Sequence, residues 1–234
     1  MKIAILAAME DEMRSIRQMI EEPSVTDYGY HQAVQGAVQN HHIITVVTGE
    51  GKVLSAARTQ WVIDHFQPNL LIFVGAAGAL SPELAVGDIV IGTQFKQFDF
   101  DITALAIDGY KGEPWTKVYP QTLAHLQAKQ DGKTYKLGSI LTGDKSIADE
   151  QEKRTLVEAF SGDCIEMEGY SAAIVSKLNH TPFVVMRQIT DVSDGDARAD
   201  FAKNLAAVSA SLWTLIVELF FDLDENDVGS WSQQ

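Results

Sequence analysis

Several short stretches of the chain join carboxylates, glycines and a cation in spacings suited to acid–base chemistry. Glu10, Asp11 and Glu12 follow an apolar run at the amino terminus. Glu50 stands between Gly49 and Gly51, with Lys52 next. Gly75-Ala76-Ala77-Gly78 closes another apolar run. Glu166-Met167-Glu168 and Arg187-Gln188-Ile189-Thr190-Asp191 lie nearer the carboxyl end. Low-dielectric surroundings raise a carboxyl pKa and let it exchange protons near neutral pH, and an adjacent charge moves it again. Each stretch also has an ordinary explanation. Acidic residues suit a helix start, the glycines suit a tight turn, and Arg187 with Asp191 suits a structural ion pair. Together they place carboxylates and one arginine at the ends of apolar segments, where unpaired burial is costly. That coincidence points to a site.

The elements that would position these residues follow from periodicity. Lys2–Leu6, His42–Val47, Leu70–Val74, Val86–Ile91, Lys136–Leu141 and Phe183–Ile189 read as buried strands, with Asp163–Met167 as a shorter one. Met9–Ile20, Val53–Phe66, Gln121–Lys129, Glu150–Phe160, Gly169–Leu178 and Phe201–Leu223 read as helices. The alternation predicts one α/β domain over residues 1–223 with a parallel or mixed sheet, and a polar acidic tail, 224–234, that frays. Ligands of such sheets sit outside the carboxyl ends of the strands, where the charged stretches fall. If Phe183–Asp191 stays extended, Arg187 and Asp191 face the same side.

Composition excludes some partners. Eighteen Lys+Arg stand against 32 Asp+Glu, a formal charge of -14. This argues against nucleic acid and against an anionic membrane surface. The apolar stretch Val208–Phe221 is interrupted by polar residues and falls short of the ~20 residues a membrane span needs. Cys164 is the single cysteine, so no intrachain disulfide forms, and the expected compartment is the cytoplasm. The six histidines show no ligand spacing, so no metal is expected. No Rossmann fingerprint or P-loop occurs, and no cofactor is expected.

The charged stretches, taken in order, carry a resemblance. Met1 to Glu12, Val86-Gly87-Asp88-Ile89-Val90, Asp99 to Ala104, Glu166-Met167-Glu168-Gly169 and Phe183 to Val192 are together similar to the 5'-methylthioadenosine/S-adenosylhomocysteine nucleosidases. The resemblance runs from Met1 to about Phe221. It implies a three-layer α/β/α fold with a twisted mixed sheet of the nucleoside phosphorylase type, and cofactor-free hydrolysis of a purine nucleoside. It implies that Glu12 takes a proton from the attacking water and that Asp191 protonates, or hydrogen-bonds at, adenine N7 from a raised pKa. Arg187 would help hold the water and orient the carboxylates. Glu168 would bind the ribose hydroxyls, Met167 would lie on the sugar, and Phe201 would stack on the base or serve as core. Main-chain groups near Ile147 would read the adenine edge. Met9, Ala76, Gly78, Ser146, Glu166, Glu50 and Ile102 complete the expected contacts. A homodimer is also implied, with Asp101–Ile107 covering the partner's site.

Departures from that family's pattern concern specificity. Ser146 replaces a common aromatic, Leu105-Ala106-Ile107 replaces an aromatic loop, and Ala76 replaces a serine whose hydroxyl is lost. Glu50 is a poor contact for a methylthio group, but it can meet solvent or a cation such as the homocysteine ammonium. A phosphorylase would need an anion site beside C1', and the first loop holds carboxylates and no Arg. A futalosine-type or nucleotide N-glycosidase is a further alternative. A 5' phosphate would need basic residues near Glu50, where only Lys52 is found. A non-catalytic nucleoside-binding protein would not require Glu12, Glu168 and Asp191 together.

Overall fold

The structure is a computed structural model, and it describes residues 1–28, 31–102, 105, 114–130, 135–193 and 197–232. Its first strand, β1 (Lys2–Ala7), is buried along nearly its whole length, as a two-sided apolar run requires. Helix α1 (Glu10–Arg17) follows directly and opens on three acidic residues. A hairpin comes next, β2 (Glu21–Tyr28) and β3 (His31–Val38), then β4 (His41–Val47). The hairpin lacks a clean apolar alternation, so the periodicity reading missed it. The order continues with α2 (Lys52–Phe66), β5 (Leu70–Ala79), β6 (Ile89–Gln97), β7 (Thr116–Lys117), α3 (Pro120–Lys129) and β8 (Tyr135–Thr142). It ends with α4 (Glu150–Phe160), β9 (Cys164–Glu166), α5 (Gly169–Leu178), β10 (Phe183–Asp191), α6 (Ala197–Phe220) and α7 (Glu225–Gly229).

The strands form one mixed sheet in the order β10-β6-β8-β9-β5-β1-β4-β3-β2. A further pairing of β10 with β5 closes β5, β10, β6, β8 and β9 into a ring. Helices α1 and α6 cover one face, and α2 and α5 pack together on the other, giving the expected α/β class with helices on both sides. Alternation along β5 splits the core. Leu70, Ile72 and Val74 join one apolar cluster, and Leu71, Phe73 and Ala77 join the other. Ring closure brings the ends of β5, β8, β9 and β10 beside those of β1 and β4.

Three expectations change. Gly75 to Gly78 is not a turn; β5 runs straight through it. The tail does not fray over its described part. Asp224 caps α7, accepting from the Asn226 and Asp227 N–H groups at 2.7 and 3.0 Å, and Val228 and Trp231 are buried against the core. Helix α6 has 24 residues and is long and apolar enough to cross a membrane by length and composition. Its apolar face is instead in the core: Val208, Leu212, Leu215, Ile216 and Leu219 are buried.

Candidate active site

A cavity of about 480 Å³ opens at the ends of β1, β5, β8, β9 and β10. Of the residues expected there, Met9, Glu12, Glu50, Ala76, Gly78, Ser146, Ile147, Glu166, Met167, Glu168, Asp191 and Phe201 line it. Arg187 and Ile102 do not. Thr103, Ala104, Ala106 and Ile107, from the expected covering loop, lie outside the described residues.

Glu12 is positioned by two elements at once. The Ala76 N–H of β5 donates to its Oε1 at 2.8 Å. The Ala8 and Met9 N–H groups, which open α1, donate to its Oε2 at 3.1 and 3.0 Å. The same carboxylate thus serves half of a capping box and hangs over the end of the sheet. Burial raises its pKa, against the opposing pull of Arg187 and these three N–H donors.

Arg187 explains why the carboxylates gather. It is fully buried on β10, with its guanidinium 4.9 Å from the Phe73 ring centre. It bonds Glu166 Oε2, and Glu168 Oε2 lies 3.5 Å from the same nitrogen. It does not line the cavity, and from behind the wall it pairs with Glu166 and Glu168. Glu166 is saturated: beyond Arg187, its oxygens accept from the Thr142 hydroxyl and from the Glu168 and Gly169 N–H groups at 3.0 and 2.7 Å. Glu166 is therefore a support for its neighbours more than a free acceptor for a ligand. Glu168 accepts from the Gly51 N–H at 2.8 Å. Its pKa is raised to about 8 by burial and by repulsion from Glu166 and Glu12, against the attraction of Arg187.

The glycines of β5 make room. A Cβ on Gly75 would collide with Arg187 Nη1 and Glu12 Oε1, and one on Gly78 with Ser193 Oγ and Asp191 Oδ1. Their φ angles are not positive, so the need is for space, not for an unusual turn.

Asp191 corrects the simple strand argument. Arg187 pairs with Gly75, but a register shift after Ile189 pairs Asp191 with Gly78. Gly75 and Gly78 are three residues apart on β5 and face opposite ways. The bulge therefore turns Asp191 to the opposite face from Arg187, as bulges next to sites do. Asp191 accepts from the Thr190 hydroxyl at 3.0 Å and from the Ser193 N–H at 2.9 Å.

Thr190, Ser193, Lys145 and Arg198 also line the cavity and were not expected there. The Asp-x-Ser spacing was a usable signal for Ser193, since Asp accepts from the backbone two residues on. Nothing in the pattern marked Lys145 or Arg198. Lys52 is already engaged, with Asp99 Oδ1 at 2.6 Å and Gln97 Oε1 at 3.1 Å.

This arrangement can withdraw a proton at one wall, supply one at another and stabilise a cation between them. Residues 2–220 match the phosphorylase superfamily. An aminodeoxyfutalosine nucleosidase of Campylobacter jejuni is 32% identical over 90% of this chain and 96% of its own. A 5'-methylthioadenosine/S-adenosylhomocysteine nucleosidase of Shewanella sediminis is 30% identical over 95% of this chain and 100% of its own. The crystal structure of the Neisseria meningitidis 5'-methylthioadenosine/S-adenosylhomocysteine nucleosidase with methylthio-immucillin-A superposes with a TM-score of 0.87 at 27% identity, covering 95% of this chain and 99% of that one. The chain belongs to the phosphorylase superfamily, among its nucleosidases.

Proposed function

We propose that the protein hydrolyses the N-glycosidic bond of 5'-methylthioadenosine and S-adenosylhomocysteine, releasing adenine and the 5-thioribose. The observation that carries this is the setting of Glu12, a buried carboxylate held by three backbone N–H groups at the cavity wall. A phosphorylase would need cations there to hold phosphate. Arg187 is instead committed to Glu166 behind the wall, and Lys52 to Asp99.

In this mechanism the C1'–N9 bond breaks with its electron pair going to adenine, and Asp191 delivers a proton to N7. The ribosyl cation that develops is met by Glu168 and Glu12. Burial penalises both carboxylates in the free protein, and a cation at C1' relieves that penalty in the transition state. Glu12 takes a proton from the water whose oxygen bonds C1'. Its raised pKa makes it a stronger base than a solvated glutamate. Met167 and Phe201, both half-buried in the cavity wall, provide apolar faces for sugar and base.

The test is adenine release from a panel of 5'-substituted adenosines, with and without phosphate. Phosphate-independent release of free thioribose is expected; ribose-1-phosphate analogues as products would overturn the hydrolase reading. The Campylobacter jejuni relative favours a second substrate reading, a futalosine-type nucleoside, and the same panel separates the two.

The working unit in this reading is a homodimer in the cytoplasm. Support for the dimer comes from Val53, Leu54, Phe100 and Leu105, which are 77, 42, 48 and 68% exposed. Lys52 and Asp99 pair between the two stretches that carry these residues. A particle near twice 25.7 kDa is expected by light scattering, and a monomer at assay concentration would remove the shared site.

A further inference from the structure

The mouth of the cavity carries charge that the glycosidic step does not use. Glu50, Lys145 and Arg198 line the cavity and are exposed, while Glu12, Glu166, Glu168 and Asp191 are buried in it. The ionisable groups buried in the lining are thus all carboxyl groups, and the lining cations are at the rim. Arg198 stands in the first turn of α6. A cation there opposes the helix macrodipole, so it does not serve the helix. Among the described residues, Arg198 has no hydrogen-bond or ion-pair partner. Lys145 pairs with Glu152 at 2.6 Å, with side chains 59 and 33% exposed. An exposed pair of this kind is weak and leaves the lysine free to turn. Phe201 follows Arg198 by one helical turn and lines the same cavity, so the cation sits on the helical face that meets the ligand.

We infer that Arg198, assisted by Lys145, anchors a carboxylate at the far end of the substrate's 5' substituent. The inference rests on the adenosine-nucleosidase reading above, in which base and ribose occupy the buried part and the 5' substituent leaves through the mouth. A guanidinium matches a carboxylate in a two-point contact that a methylthio group cannot make. The buried part of the lining offers that anion no cation, so it is held only at the rim. Glu50 at that rim supplies an acceptor for an ammonium, as an amino-acid substituent would need.

The test compares kcat/KM for adenine release from a 5'-carboxypropylthio adenosine and from its neutral carboxamide. In the wild-type protein the carboxylate is preferred, and that preference falls as salt rises. Arg198→Gln lowers the carboxylate-to-carboxamide ratio about tenfold, and Arg198→Lys restores part of it. An unchanged ratio in Arg198→Gln, with adenine still released, overturns the inference and leaves the nucleosidase reading standing. No adenine from either compound in the wild-type protein overturns both. S-adenosylhomocysteine and an adenosine with a carboxyaryl 5' end identify the source of the carboxylate: the substrate that loses more in Arg198→Gln is the one held there.

Discussion

Two arginines at the same cavity show how differently its floor and its mouth are built. Arg187 is fully buried, bonded to Glu166, beside Glu168 and under Glu12, with a glycine opposite to leave it room. Arg198 is exposed and, among the described residues, unpartnered. The floor is over-determined. Strand ends, two helix starts and a bulge all fix it, and any change there must disturb several bonds. At the mouth, single side chains can change without consequence for the fold. In the proposed reaction chemistry belongs to the first region and specificity to the second, which is where a family can vary its substrates without losing its reaction.

The sharpest way to break that contrast is at Asp191, the proposed proton donor. Asp191→Asn is expected to lower kcat for adenine release by roughly 10²–10⁴-fold while leaving the thermal transition in place. Activity within a few-fold of wild type would remove Asp191 from the proton-donor role. The two arginines supply the next test. Arg187→Met leaves buried carboxylates uncompensated, and chemical denaturation is expected to show a loss of about 3–5 kcal/mol. Arg198→Met should cost less than about 0.5 kcal/mol. Equal losses would mean that the mouth is structural after all.

Sequence pattern reached the floor well, for a physical reason. Two-sided burial leaves a continuous apolar run, so β1, β5, β8 and β10 were visible, and the charged residues at their ends stood out against it. Helices α4 and α5 have the boundaries that periodicity predicts, and the structure adds that Asp149 caps α4 by accepting from the Glu152 N–H. The hairpin of β2 and β3 was invisible because Glu21, Glu22, Pro23 and Ser24 show no period of two. The bulge at Ile189–Asp191 was also beyond reach. It leaves composition untouched and reverses which face Asp191 occupies. The role of Gly75 in admitting Arg187 is a matter of packing across strands far apart in the chain. At the mouth, Lys145 and Arg198 sit in loop and helix-start positions where charged residues are ordinary, so their types carried no signal.

A smaller effect sharpens the account of the floor. Glu168 has a folded-state pKa raised to about 8. A raised carboxyl pKa means that the folded protein holds a proton which the unfolded chain releases near the ordinary glutamate value of 4.5. Stability from this group is full below that value and is lost as pH rises toward about 8. The slope reaches at most about 1.4 kcal/mol per pH unit for one proton. Denaturation midpoints measured across this range should fall with pH, and Glu168→Gln should flatten the fall. An equal slope in that variant would mean that Glu168 is ionised throughout.

The smallest expected effect is at Glu50, and it bears most directly on the mouth. Glu50 is exposed and, among the described residues, has no hydrogen-bond or ion-pair partner, so Glu50→Ala should leave stability within about 0.5 kcal/mol. Its carboxylate is a poor neighbour for a methylthio group and a good one for an ammonium. The variant should therefore lower turnover of S-adenosylhomocysteine relative to 5'-methylthioadenosine by a few-fold, the worth of a weak, solvent-screened charge contact. The effect should shrink at high salt, because exposed charges are screened over about a nanometre. If the ratio does not move, Glu50 faces solvent, and discrimination at the mouth rests on the cations alone. If both substrates fall equally, Glu50 acts on the Gly51 N–H that holds Glu168, and the line between floor and mouth runs one residue further out.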